Sequence, residues 1–334
     1  MKKERFRPAG EAGGRRGGNG WVWLALAGAG VAAAYAASKL LDRDRGLPRL
    51  APGPVTENEG PGAPIDELRL PADAEVSYVS GPAGSLRVAE RHAGAPLAIV
   101  FVHGLGGRLE QWAPVLHRLG PGLHGVVFDL PGHGESDSAE GGDYSVPALA
   151  ASIGAVAAAL GLRRFVLAGH SLGGLVAIDY AGRHPERVAG LLLADASGDL
   201  SQLPRDQRDE VVSQVEEDPH GELGSQWRQI LIDADPEVAD RVYSDLEATA
   251  PGALAGALAG SLDYAPLEAL DRYLGAAGVA EALITPLNSL PFSLHRLRAN
   301  LPVKSLIGCS HWLMMDRPEE FCTVLWDFLD RVRR

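Results

Sequence analysis

Apolar residues follow two rhythms along this chain. Short unbroken runs, such as LAIVFV at 97–102 and FVLAG at 165–169, alternate with longer stretches of helical spacing. A fully apolar run of strand length is what a strand buried on both faces requires. Residues 75–80 and 85–91 read as a hairpin split by Gly81-Pro82-Ala83-Gly84. The runs at 97–102 and 125–130 and the run ending at 170 read as strands, and so does 188–196, with helices over 109–119, 146–160 and 172–184 between them. From 200 to 280 the rhythm changes: the stretch is acidic and alanine-rich, with helical spacing and no good strand. Strand and helix then resume, with strands at 281–285 and 302–307 and helices at 292–299 and 317–332. Such alternation predicts an α/β fold with a mostly parallel sheet covered by helices on both faces. The core is expected over 65–199 and 281–334. Residues 200–280 form a helical cap, inserted after the sixth strand, over the carboxyl edge where open α/β sheets place ligands.

The first 64 residues do not fit this rhythm. Residues 1–20 are basic, glycine-rich and aperiodic, and read as a disordered tail. Residues 21–38 carry no charge and begin with Trp21 and Trp23, while Lys39, Arg43, Arg45 and Arg49 follow. The run approaches the roughly 20 residues that span a bilayer as a helix. It reads as a transmembrane anchor or a cleaved export signal, in preference to an apolar helix of a soluble protein. Six Lys/Arg precede it and four follow, a bias that favours the folded body lying on the extracytoplasmic side. Residues 39–64, rich in proline from 46 onward, read as a linker.

Charge sharpens this division. Residues 1–50 hold ten Lys/Arg and four Asp/Glu; the rest holds 21 against 39. An acidic body argues against nucleic acid as a partner, since phosphate contacts need basic side chains. The membrane is a partner only through the N-terminal segment, if that is retained. The two cysteines, Cys309 and Cys322, match no metal motif. No dinucleotide fingerprint or P-loop is present, so neither a cofactor nor a metal is expected.

The chemistry gathers around Gly169-His170-Ser171-Leu172-Gly173. A Gly-x-Ser-x-Gly stretch between strand and helix is the nucleophile-elbow pattern. A serine there needs a base to take its proton and an acid to orient that base. FVHGLGG at 101–107, FDLPGHGES at 128–136, AGHSLGG at 168–174 and SHWLMMDRPEEF at 310–321 stand in order along 75–332. With these pieces the chain resembles the α/β-hydrolase superfamily, of the capped serine ester-hydrolase type. The resemblance implies Ser171 as nucleophile and His311 as general base. It also implies an oxyanion hole from the backbone N–H groups of Leu105 and Leu172.

The acid is less plain. Similar proteins place it after the strand preceding the histidine's strand, but no carboxylate occurs from Thr285 to Leu301. Some members of the fold supply it one strand earlier, which here offers Asp195 and, behind it, Asp199. Asn288 or Ser289 as a polar stand-in is the other reading. The resemblance implies hydrolysis of a small-molecule ester or related carbonyl compound through an acyl-enzyme. A weakly active or non-catalytic binder of a small apolar ligand, and an acyltransferase or perhydrolase, are the alternatives. Ser171 argues against haloalkane and epoxide chemistry, which need an aspartate nucleophile on this fold.

Overall fold

The structure is a computed structural model that describes residues 55–56, 64–231 and 233–333. The tail at 1–20, the apolar segment at 21–38 and most of the expected linker lie outside these residues. Among the described residues no helix is long and apolar enough to cross a membrane.

Nine strands form one sheet: β1 (Val55–Thr56), β2 (Glu75–Gly81), β3 (Gly84–Arg91), β4 (Leu97–Val102), β5 (Leu123–Phe128), β6 (Phe165–His170), β7 (Val188–Ala194), β8 (Ala280–Ile284) and β9 (Val303–Leu306). Their order across the sheet is β1-β9-β8-β7-β6-β4-β5-β3-β2. β2 and β3 pair antiparallel, as does β3 with β5; the other pairs are parallel. β1 is a difference from the expected linker: Val55 and Thr56 pair with Ser305 and Leu306 at the sheet edge. Counting it makes β7, the strand before the cap, the seventh rather than the sixth.

Helices follow the crossovers that parallel pairing demands. In chain order they are α1 (Ala113–Arg118), α2 (Val146–Ala159), α3 (Leu172–Arg183), α4 (Arg205–Glu217), α5 (Pro219–Ile230), α6 (Pro236–Ala248), α7 (Pro251–Asp263), α8 (Leu267–Gly275), α9 (Leu294–Leu297), α10 (Leu313–Asp316) and α11 (Pro318–Val332). The pleat sends alternate residues of β4 to opposite faces. Ile99 and Phe101 join a core with Leu116 and Phe328, while Val100 and Val102 join one with Ile153 and Val176. These two apolar layers explain why the strands carry no polar alternation.

The stretch between β7 and β8 is helical, as its spacing predicts, but its last helix does not belong to a cap. Ala269, Leu270 and Tyr273 of α8 are buried in the α2–α3 layer, and a Cβ on Gly182 would meet the Ala269 backbone at 2.5 Å. The helices standing over the sheet edge are therefore α4 to α7, a shorter unit than 200–280. A buried polar network ties this unit to the core. Gln111 donates to Asp245 of α6, and Arg241 pairs with Asp245 and Glu110.

Candidate active site

β6 runs straight into α3, and the corner falls on Ser171, whose φ of 52° and ψ of −120° lie where an L-residue is strained. The corner is so tight that its neighbours have no room for a side chain. A Cβ on Gly169 would lie 2.3 Å from the Gly173 carbonyl oxygen, and one on Gly173 would lie 2.4 Å from the carbonyl oxygens of Val102 and His103. Backbone atoms cannot move aside as a flexible side chain does. Gly173→Ala is therefore expected to lower stability by about 1–3 kcal/mol. It should also slow any reaction at Ser171 by on the order of 10², because α3 and the 103–107 loop shift apart. A urea midpoint and a turnover measurement unchanged from wild type would count against this.

The same packing positions the loop after β4. His103 Nδ1 donates to the Gly104 carbonyl and its Nε2 accepts from Leu130 N–H, at 2.8 and 2.9 Å. Asp129 accepts from Leu109 and Glu135 N–H groups. The loop is thus held at both ends, with Leu105 between. Leu105 and Leu172 line one cavity with Ser171. Leu172 is the first residue of α3, where helix N–H groups have no intrahelical acceptor.

His311 and Asp195, 116 residues apart, meet at the carboxyl ends of the sheet. His311 Nδ1 lies 2.7 Å from Asp195 Oδ2. The carboxylate also accepts from the Thr285 N–H and hydroxyl, both at 2.9 Å. Burial alone would raise the Asp195 carboxyl. The hydrogen bond and charge of His311, with the two bonds from Thr285, outweigh it and hold the group below its ordinary range. Asp195 has a φ of 44°, a left-handed conformation that Asp and Asn tolerate better than most residues.

The other candidate acids are engaged elsewhere. Asp199 accepts from Ser201 and Gln202 within the next turn. Asn288 donates to the Ala196 carbonyl and accepts from Ser293. Ser289 accepts from Arg296 at 3.5 Å. None of the three is bonded to His311. Ser171, Asp195, Asn288 and His311 line one cavity of about 480 Å³. Ser171 and His311 also line the second, of about 640 Å³, which reaches Leu105 and Trp227.

Three features escape a reading of the sequence alone. Thr285 fixes the carboxylate, and only its position just after a strand could have signalled it. His170 lies beside His311, ring centres 4.6 Å apart, and its Nε2 donates to the His311 carbonyl. Asp316, six residues past Ser310, accepts from the Ser310 N–H and hydroxyl and from Asp235 N–H. It anchors the histidine's loop both to itself and to the helices above.

Buried titratable groups give the site a pH signature. Burial lowers His133 to about 4, lowers His170 to about 3 and holds His103 well below its usual value. Burial raises Asp129 and Asp316 to about 6. Below pH 6.5 the unfolded chain binds three histidine protons that the fold refuses, and stability falls. The two aspartates bind protons in the folded state first and offset two of the three. With His295, likewise lowered, and Asp245, likewise raised, the groups that bind protons only on unfolding still outnumber those that bind them in the fold, so stability is expected to fall as the pH drops between 6 and 4.5. Urea midpoints across this interval test it, and a flat or rising profile would refute it.

Among the described residues, no three or more His, Cys, Asp and Glu side chains are grouped to hold a metal ion. Cys309 and Cys322 are both buried and unpaired.

Comparison with known proteins bears on this geometry. Residues 98–276 match the family model described as alpha/beta hydrolase fold. An esterase of Mycobacterium tuberculosis is 34% identical over 142 residues, covering 40% of this chain and 47% of that protein. Mycobacterial relatives at 38% identity are matched over only about a third of their length, 33%. Two solved structures share the fold at a TM-score of 0.65: a thermophilic esterase from Thermogutta terrifontis and an enol-lactonase from Burkholderia xenovorans. The first is 22% identical, with 78% of this chain and 100% of that one covered. The second is 20% identical, with 76% and 100% covered.

Proposed function

Because the chain belongs to the alpha/beta hydrolase fold family, we propose that it is a serine hydrolase cleaving carboxylic esters and related carbonyl compounds through an acyl-enzyme. The observation that carries this reading is the His311–Asp195 hydrogen bond of 2.7 Å, at a cavity that also holds a serine on a strained strand–helix corner. The esterase and the lactonase named above support the substrate class.

The proposed chemistry follows from the proton positions. Asp195 accepts a hydrogen bond from the N–H at His311 Nδ1, which leaves Nε2 unprotonated and able to take a proton. Ser171 Oγ attacks the substrate carbonyl carbon while its proton passes to His311 Nε2. The carbonyl π pair moves to oxygen, where the Leu105 and Leu172 N–H groups receive the charge; each such donor contributes about 3 kcal/mol. Collapse breaks the bond to the leaving group, which departs with the His311 proton. Water then repeats the sequence on the acyl-enzyme and restores Ser171. Asp195 stays ionised and holds the imidazolium that forms at each step.

The His311–Asp195 bond favours this reading over a non-catalytic binder, since it offers His311 a carboxylate although none occurs near 288. The direct test is rapid-mixing hydrolysis of p-nitrophenyl acetate. The reading expects a burst of p-nitrophenol of one equivalent per active chain, followed by slower turnover. Hydrolysis that Ser171→Ala leaves untouched would sink it.

A further inference from the structure

The helix α5 turns one stripe toward the larger cavity. Leu223, Gln226, Trp227 and Ile230 stand at i, i+3, i+4 and i+7, and all four line it. Three are apolar, as a core-facing stripe requires. Gln226 is not, and it is only 9% exposed. Its Oε1 is buried without a hydrogen-bond partner. Buried polar atoms are nearly always paired, and leaving one unpaired is costly. Neighbouring polar groups around the cavity have internal partners: Ser261 donates to the Leu258 carbonyl, and His170 Nε2 to that of His311. His170 Nδ1 also lacks a partner; it lies against Gly104, 3.0 Å from where a Cβ there would stand.

We infer that Gln226 is a specificity-determining residue that hydrogen-bonds a hydroxyl on the acyl chain of the substrate. This rests on the Ser171 reading above. Leu105 and Leu172 line this cavity and not the smaller one, whereas Asp195 lines only the smaller. In this assignment the carbonyl oxygen points to Leu105 and Leu172 and the acyl chain takes the larger cavity beneath α5, with the leaving group on the Asp195 side. A side-chain amide can turn either end toward a ligand. A hydroxyl, both donor and acceptor, satisfies either end. The apolar neighbours Leu223, Trp227 and Leu258 enclose the methylenes around it. The substrate class is an ester or lactone of a hydroxylated, medium-length fatty acid.

The test compares p-nitrophenyl hexanoate with its 3-hydroxy and 6-hydroxy analogues. Wild type is expected to favour at least one hydroxylated ester in kcat/KM. In Gln226→Leu that ester loses roughly 30-fold relative to hexanoate, because its hydroxyl is buried without a partner. The quantity read is the ratio of the two substrates on one enzyme, which general damage to the fold, lowering both alike, would not move. Gln226→Met, closer in volume, reads the same quantity if the leucine variant does not fold. A second arm does not need catalysis. Methyl hexanoate and its hydroxylated analogues are titrated into Ser171→Ala and into Ser171→Ala with Gln226→Leu, by the fluorescence of Trp227 and Trp312, which line the cavity. No preference in wild type, or a preference that Gln226→Leu retains, overturns the proposal and leaves the amide to water. Preference in binding without serine-dependent hydrolysis would retain the Gln226 assignment and overturn the serine reading alone.

Discussion

Ser171→Ala is expected to lower kcat for p-nitrophenyl esters by on the order of 10⁶ and to abolish the burst. The size of the effect follows from covalency. Without Oγ no acyl-enzyme forms, and a water molecule must attack directly from a cavity shaped for a tethered nucleophile. A residual rate above that in buffer should survive, since the substitution leaves in place the oxyanion hole proposed for the N–H groups of Leu105 and Leu172. The fold should be unharmed. Ser171 makes its corner with backbone bonds, donating its N–H to Ala194 and accepting from Gly174, and alanine keeps both. Far-UV circular dichroism and the thermal midpoint, measured on the same sample, separate lost chemistry from lost structure. A variant with wild-type kcat would end the serine mechanism.

Asp195→Asn is expected to cost about 10⁴ in kcat, roughly 5.5 kcal/mol of barrier. Three donors converge on this carboxylate: the Thr285 N–H, the Thr285 hydroxyl and His311 Nδ1. An amide has one oxygen. The backbone N–H of Thr285 cannot turn away, so the oxygen must serve it and the NH₂ group then faces His311. That forces the imidazole proton onto Nε2, where it blocks uptake of the Ser171 proton. Asparagine tolerates the left-handed backbone of this position, so KM and the thermal midpoint should change far less than kcat. Ser289→Ala is the control, because Ser289 is bonded to Arg296 and not to the histidine. Equal losses for the two variants would remove Asp195 from the role proposed for it.

The contrast between Ser171 and Asp195 shows where sequence reasoning reaches its limit. The serine corner is local: five residues, a strand before and a helix after dictate it. The carboxylate is not. β7 and β8 are parallel neighbours, so both deliver their ends to the same histidine, and nothing in either strand says which end bears the acid. In the sequence, position 195 stands open against Asp199, Asn288 and Ser289 for that reason, and only the pairing of distant segments brings it beside His311. β4 and β7 are legible because burial on both faces leaves them without a polar residue. The extent of the cap was not. α8 carries the same helical spacing as α4 to α7, and its place on α3 rests on Ala269 meeting a side-chain-free Gly182. Gln226 was equally invisible, since one polar residue in a helix reads as solvent-facing until the neighbouring stripe is known.

The loop that bears the imidazole is fastened to the roof. His311 N–H bonds to the Ile230 carbonyl at the end of α5, and Asp316 holds the Asp235 N–H at the start of α6. Lifting those helices to admit a bulky molecule would drag the base away from its partners. If substrate enters by such a lift, entry and reaction compete for the same few bonds. Changes at 230 or 235 that speed the traffic of substrate should blunt turnover in equal measure, and the two properties cannot be improved separately there.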